Sequence, residues 1–122
     1  MALQHLHLHV RDRYVAERFY EAWFGLGMQR RGSEISFMTD ERGFLLALMQ
    51  DWSPAPMPPW FHFGFRQESA AAVLLLYEQM RMSGVDMRKP VYQDDSLVSF
   101  RCADPDGYLI EVFWEAERAV QA

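Results

Sequence analysis

Three histidines near the start of the chain have the type and spacing to do chemistry. Residues 3–10, LQHLHLHV, alternate polar and apolar side chains, which places His5, His7 and His9 on one face of a β-strand. An imidazole changes its protonation near neutral pH and can coordinate a metal ion. These side chains could therefore bind a metal, orient a ligand or act as a base, or they could simply form a polar strand face.

A similar strand follows in the second half of the chain. In WFHFGFR, residues 60–66, three phenylalanines share one face, whereas His62, Gly64 and Arg66 share the other. The return of a histidine-bearing strand indicates that the chain is built from two similar halves.

The first half is predicted to have the order β-α-β-β-β. Asp12 is a favourable N-cap for a helix over roughly residues 13–24, and Gly25 provides its left-handed end. The apolar stripe of this helix is formed by Val15, Phe19 and Trp23. Three strands are predicted to follow, near residues 28–31, 34–39 and 43–50.

A proline-rich segment separates the halves. Residues 51–59, DWSPAPMPP, cannot continue a central strand, because proline has no amide hydrogen to donate. After this linker Ser69 is predicted to cap a helix that stops at Gly84. The remaining strands are predicted near residues 86–92, 96–103 and 108–114.

The equal element order of the two halves predicts an α+β fold in which two βαβββ modules form a curled mixed sheet around a cleft, with the helices outside. We expect a single domain over residues 1–122, with module 1 at about 1–52, the linker at 51–59 and module 2 at about 60–115. A chain of 122 residues that is 50% hydrophobic can form one such core.

Composition argues against two classes of partner, nucleic acid and membranes. The net charge of −5 would repel a phosphate backbone, so nucleic acid is not expected as a partner. The chain contains no run of about 20 apolar residues and no secretory pattern at its start, so we expect no membrane partner. Its single cysteine, Cys102, cannot form an internal disulfide and is expected to be buried and inert. We therefore expect a cytoplasmic protein.

The chain resembles the vicinal oxygen chelate superfamily. The resemblance is carried by the opening QHLHLHVRD and AERFYEAWFGLG, by the closing FRCADPDGYLIEVFWE, and by the histidine on the strand after the linker. That superfamily includes glyoxalases, fosfomycin-resistance thiol transferases, extradiol dioxygenases, methylmalonyl-CoA epimerases and metal-free bleomycin-resistance proteins. Because one scaffold hosts many reactions, the resemblance implies the fold more closely than the reaction.

The resemblance also implies a ligand set for one divalent metal ion. In metal-dependent members the ligands come from the first and last strand of each half, and these positions match His5, His62 and Glu111. Superposing residues 43–47 on 107–111 puts Ala47, which cannot bind metal, at the fourth position. Two imidazoles and one carboxylate suit Mn²⁺, Fe²⁺, Ni²⁺, Co²⁺ or Zn²⁺ and leave positions open for substrate oxygens. His7, nearest to His5 on the same face, is the candidate catalytic or supporting residue.

Strand alternation predicts a mostly apolar substrate pocket with one cation, Arg101. This guanidinium could hold an acidic group of the substrate, or it could neutralise Glu111. The other predicted pocket residues are Leu45, Ala47, Met49, Ser99, Leu109 and Phe113, with Phe37 or Trp60 at the mouth.

Two functions remain open from the sequence. The first is a metal-dependent enzyme with lyase, thiol-transfer or ring-cleaving dioxygenase chemistry on a small oxygen-chelating substrate, which could be anionic or aromatic. The second is a metal-free protein that sequesters an aromatic small molecule, as bleomycin-resistance proteins do. In either case we expect a homodimer, because each module leaves a sheet edge.

Overall fold

The computed structural model describes residues 1–117, which contain eight strands and two helices. The last five residues of the predicted domain range lie outside the described residues. The chain divides into two units, Met1–Pro58 and a second unit that begins at Pro59. Both units have the βαβββ order that the sequence predicted, and each contains a four-stranded mixed sheet and one helix.

In the first unit β1 lies at the edge of the sheet. The strand order is β1-β4-β3-β2, with β1 parallel to β4 and the other pairs antiparallel. The elements are β1 (His5–Val10), α1 (Arg13–Phe24), β2 (Gly27–Arg31), β3 (Ile35–Thr39) and β4 (Leu45–Gln50).

The second unit repeats this topology with β5 at the edge. Its strand order is β5-β8-β7-β6, and β5 runs parallel to β8. The elements are β5 (His62–Arg66), α2 (Ala70–Met82), β6 (Asp86–Gln93), β7 (Leu97–Ala103) and β8 (Leu109–Glu115). In both units, therefore, the edge strand that carries the predicted histidine pairs with the last strand of its module.

Alternation along β7 and β8 separates two faces of the second sheet. Val98, Phe100 and Cys102 of β7 are buried, as are Ile110 and Val112 of β8, whereas the residues between them are partly exposed. Burial, with a smaller contribution from the Asp104 carboxylate, raises the pKa of the Cys102 thiol to about 12. The expectation that Cys102 is buried is confirmed, and its raised pKa disfavours the thiolate, which is the reactive form.

Helix α1 buries a polar side that the sequence did not indicate. The buried positions are Arg13, Ala16, Glu17 and Tyr20, whereas the predicted stripe of Val15, Phe19 and Trp23 is only half-buried. Glu17 accepts a 2.6 Å hydrogen bond from Ser36 Oγ on β3 and pairs with Arg31 on β2. A charged residue can therefore occupy the packed side of this helix, because strand side chains neutralise it and satisfy its oxygens.

The N-terminus of α1 is capped as predicted. Asp12 has an extended backbone, and its side chain accepts hydrogen bonds from the amides of Tyr14 and Val15.

We expect Asp12→Ala to lower the free energy of unfolding by about 1 kcal/mol, because two amides lose their acceptor. Asp12→Asn, which keeps an acceptor, should cost much less. Chemical denaturation checks this; equal losses in the two variants would contradict the capping role.

Among the described residues, neither helix is long and apolar enough to cross a membrane.

Candidate functional site

The strand registers test the predicted equivalence of the two modules. His5 lies opposite Leu45 in the β1/β4 pair, and His62 lies opposite Leu109 in the β5/β8 pair. Two residues further along, the register positions are Ala47 in the first unit and Glu111 in the second. His5 and His62 therefore hold the same place in their sheets, as do Ala47 and Glu111, so the alignment made from sequence is confirmed.

A backbone carbonyl fixes the ring of His62. Its Nδ1 lies 3.1 Å from the carbonyl oxygen of Trp60, just before β5. Because a carbonyl can only accept, Nδ1 carries the hydrogen and donates it. This leaves the lone pair on Nε2 in the neutral ring. A ligand histidine is held in this way in most metal sites, where the second ring nitrogen donates to a carbonyl or carboxylate.

The second ring nitrogen of His62 lies near Glu111. His62 Nε2 and Glu111 Oε2 are 4.0 Å apart, and both side chains are about one-third exposed, at 35% and 31%. Two ligands of one ion with bonds of about 2.1 Å are separated by roughly 3–3.5 Å. A small rotation of these partly exposed side chains would close the gap, so His62 and Glu111 fit two adjacent positions around a divalent ion.

Arg101 is the third member of this cluster. It lies directly opposite Glu111 in the β7/β8 register. Arg101 Nε is 3.8 Å from Glu111 Oε1, and Arg101 Nη2 is 3.5 Å from His62 Nε2. The structure thus brings three predicted site residues of module 2 together on one sheet face. The contact with Glu111 is an ion pair without a hydrogen bond.

The neighbouring positions on this face are Ser99 and Phe113, which pair with each other across β7 and β8. Both are partly buried, as is Leu109. The Phe113 ring lies against Gly64, where an added Cβ would be 3.2 Å from Phe113 Cε1 and 3.1 Å from the Glu111 carbonyl oxygen. The absence of a side chain at Gly64 therefore leaves room for the Phe113 ring. A glycine inside an alternating strand is the sequence signal for such a close approach.

Gly64→Ala is expected to be less stable than a matched control, Gly27→Ala on β2, by about 1 kcal/mol. An added Cβ at Gly64 would press on backbone and ring atoms, whereas at Gly27 the nearest atom is 4.0 Å away. Denaturant unfolding of the two variants measures the difference. Equal stabilities would show that the Phe113 ring gives way without cost.

In the first unit the corresponding face has a different character. Phe37 lies opposite Ala47 and therefore holds the register position of Arg101. The Arg30 guanidinium is 4.8 Å from the centre of the Phe37 ring. Met49 holds the position of Phe113. Module 1 thus has the uncharged pair Phe37 and Ala47 where module 2 has the charged pair Arg101 and Glu111.

Two histidines of β1 interact with each other. The rings of His7 and His9 are 5.2 Å apart, and His9 Nδ1 lies 2.9 Å from Asp51 Oδ2 at the root of the linker. A hydrogen bond from His9 holds the pKa of Asp51 below its usual range. Arg66 and Glu115 form the matching pair in the second unit, with the Arg66 Nη1 and Glu115 Oε1 atoms 3.5 Å apart. His9 therefore belongs to a structural pair, which leaves His5 and His7 as the module 1 candidates.

Trp60, predicted at the mouth of the pocket, is 73% exposed, and its ring contacts Phe61. What Trp60 contributes to the site is its backbone carbonyl, which accepts from His62, and no side-chain pattern in the sequence signals a contact of that kind.

Within either unit, no group of three His, Cys, Asp or Glu side chains among residues 1–117 is close enough to hold a metal. The predicted ligands are divided between the units, with His5 in the first and the other two in the second.

Comparison with known proteins gives this chain a family. The model of the Glyoxalase/Bleomycin resistance protein/Dioxygenase superfamily matches residues 2–112. A possible glyoxalase from Bacillus cereus is 34% identical, with 92% of this chain and 97% of that chain covered and a TM-score of 0.79. No match was found among curated proteins.

More distant solved structures have the same fold. Lactoylglutathione lyase from Agrobacterium tumefaciens is 21% identical, with 93% of this chain and 92% of that chain covered and a TM-score of 0.75. The fosfomycin resistance protein FosX from Listeria monocytogenes is 22% identical, with 95% and 94% covered and a TM-score of 0.80. Because the family model matches nearly the whole chain, this protein belongs to the glyoxalase/bleomycin resistance protein/dioxygenase superfamily.

Proposed function

We propose that this chain is a divalent-metal-dependent enzyme that acts on a small oxygen-chelating substrate, with His5, His62 and Glu111 as the metal ligands. The observation that carries the proposal is the orientation of His62. Its Nδ1 is engaged by the Trp60 carbonyl, which leaves Nε2 with its lone pair, 4.0 Å from Glu111 Oε2 and 3.5 Å from Arg101 Nη2. A histidine that served only to form a salt bridge would gain more from a direct hydrogen bond to the carboxylate.

The donor set suits a metal of intermediate hardness. Two neutral imidazoles and one carboxylate fit Mn²⁺, Fe²⁺, Ni²⁺, Co²⁺ or Zn²⁺, and three protein ligands leave positions for substrate oxygens. The ion, when bound, would act as a Lewis acid that chelates adjacent substrate oxygens and stabilises negative charge developing on them.

The chain itself would orient the ligands and shape the pocket. The Trp60 carbonyl holds His62 in the tautomer that presents Nε2. Phe113, packed on Gly64, provides an apolar surface beside Glu111. We assign Ser99, Arg101 and Phe113 to substrate binding in module 2, and Phe37, Ala47 and Met49 to the apolar part of the pocket, with Trp60 at its mouth. His7 stays the candidate proton-transfer residue.

The test is a metal-dependent activity screen. Protein loaded in turn with each of the five metals should be assayed for lactoylglutathione formation, for thiol addition to fosfomycin and for catechol cleavage. The matched control is His62→Ala loaded in the same way. We expect one of these reactions to require both metal and His62. Turnover that survives chelation and the His62→Ala substitution would overturn the proposal.

One observation favours a second function, metal-free binding of a small aromatic molecule. Arg101 already places a positive charge within 3.8 Å of Glu111 and 3.5 Å of His62, so a cation is present among the ligand atoms without a metal. The stacked Arg30 and Phe37 provide a surface for an aromatic ring. Binding of a planar aromatic compound that is unchanged by chelators would support this alternative.

We further propose that the chain forms a homodimer. The strand orders place β1 and β5 at the edges of their sheets, where backbone hydrogen-bonding groups have no partner within the sheet. Light scattering at micromolar concentration should give twice the mass of the chain. A mass of one chain would contradict this.

A further inference from the structure

Arg13 and Arg101 each have a buried Nε atom without a hydrogen-bond partner, but Arg13 donates through its other nitrogens to the carbonyls of Gly32 and Ser33. Arg101 has no such short contact with an oxygen atom among the described residues. Its Nε atom is buried and has no hydrogen-bond partner among the described residues. Its Nη2 atom makes one long contact, 3.5 Å, with a histidine nitrogen. A guanidinium has five N–H donors in a fixed plane, and leaving a buried donor unsatisfied is costly. Arg101 thus carries a permanent charge and unused donors on the candidate site face.

Other arginines of this chain donate to oxygen at short distances. Four examples are Arg13 to Gly32 O at 2.7 Å, Arg66 to Glu115 O at 2.7 Å, Arg81 to Glu78 Oε2 at 2.7 Å and Arg88 to Asp86 Oδ2 at 2.9 Å. The nearest carboxylate oxygen to Arg101 in an ion pair is that of Glu111, at 3.8 Å, which is beyond hydrogen-bonding range. Neutralising Glu111 is therefore an incomplete account of Arg101.

We propose that Arg101 binds the carboxylate of the substrate, and that the substrate is a small carboxylic acid with an apolar body. This inference rests on the proposed metal site, because Glu111 would repel an anion unless a bound cation shares its charge. A rotation about the long arginine side chain, which is 27% exposed, would turn the Nε and Nη2 donors towards the two oxygens of a carboxylate.

Charge and neighbouring surface define this substrate class. The two oxygens of a carboxylate lie in one plane and match two neighbouring donors of the guanidinium, and the permanent charge of Arg101 favours the anionic acid over a neutral analogue. The half-buried Phe113 and Leu109 on the same face would contact the apolar body. Recognition would combine one charge-assisted fork with burial of apolar surface.

The experiment uses phenylacetate and its neutral analogue phenylacetamide as probes. Calorimetry measures the dissociation constant of each probe with metal-loaded wild type, Arg101→Ala and Arg101→Lys. The control is Arg88→Ala, since Arg88 lies on β6 and is paired with Asp86. We expect Arg101→Ala to weaken phenylacetate binding by about 10–100-fold and to leave phenylacetamide binding unchanged. Arg101→Lys should bind phenylacetate more tightly than Arg101→Ala but more weakly than wild type, because an ammonium lacks the planar fork. Arg88→Ala should behave as wild type.

Three outcomes would overturn the inference. They are no detectable phenylacetate binding to metal-loaded wild type at millimolar concentration, equal binding of phenylacetate and phenylacetamide, or equal phenylacetate binding by wild type and Arg101→Ala. Metal affinity is measured separately in every variant. Failure of wild type to bind metal would refute the proposed function, whereas intact metal binding without carboxylate selectivity would refute only the role of Arg101.

Discussion

Alanine at His62 or at Glu111 is expected to weaken divalent metal binding by at least about 100-fold. Substitution of a group that only hydrogen-bonds to a metal ligand already lowers metal affinity by about 10–100-fold. Loss of one of three direct ligands should lower it by at least as much. His5→Ala should have a comparable effect, since His5 holds the same register position as His62. Titration of each variant with Zn²⁺ and Mn²⁺ gives the affinities.

The matched control for these substitutions is His9→Ala. His9 lies on the same strand as His5, but its ring pairs with Asp51 at 2.9 Å. We expect His9→Ala to bind metal as tightly as wild type. A loss of affinity in His9→Ala equal to that in His62→Ala would mean that histidine content, and not the predicted ligand set, determines metal binding.

The second large effect is expected from Glu17. Burial by itself raises the pKa of this carboxyl, but hydrogen bonds from Arg31 and Ser36 and the charges of Arg31 and Arg13 outweigh it and hold the pKa below its ordinary value. Glu17→Ala would leave the buried Ser36 hydroxyl without its acceptor and Arg31 without its partner. We expect the free energy of unfolding to fall by roughly 2–3 kcal/mol.

Glu21→Ala, one turn further along α1 and exposed, is the control and should change stability by less than about 0.5 kcal/mol. The sign of the pH dependence follows from the lowered pKa of Glu17. A carboxyl whose folded pKa is below its unfolded value stabilises the fold above the unfolded pKa, near 4.3, and loses that contribution as the pH falls. The difference between wild type and Glu17→Ala should therefore shrink below about pH 4. A difference that stays constant with pH would contradict this account.

Local sequence signals were sufficient for the order of elements. The Asp12 cap, the left-handed Gly25 and the proline-rich linker each act through a few neighbouring residues, so their effects can be read without tertiary contacts. The first residue of a strand was predicted less accurately than the order of the elements. The strand predicted to begin at residue 43 begins at Leu45, because Asp40 Oδ1 still accepts from the Phe44 amide in the turn.

Contacts between distant residues account for what the sequence could not supply. The buried polar side of α1 depends on Arg31 and Ser36, which are brought to Glu17 only by the folded sheet. The orientation of His62 depends on a backbone carbonyl, which has no side-chain signature. The alternation of side chains along each strand did place Arg101 and Glu111 on one face, because alternation depends only on neighbouring residues. Their 3.8 Å separation could not be predicted, because it depends on how β7 and β8 pair in the sheet.

The metal content of the purified chain tests the central claim most directly. Wild type and a variant with alanine at His5, His62 and Glu111 should be purified without chelators, equilibrated with the five candidate metals and examined by elemental analysis. We expect about one divalent ion per wild-type chain and none in the triple variant. Absence of metal from wild type, or the same metal content in both proteins, would contradict the proposed site.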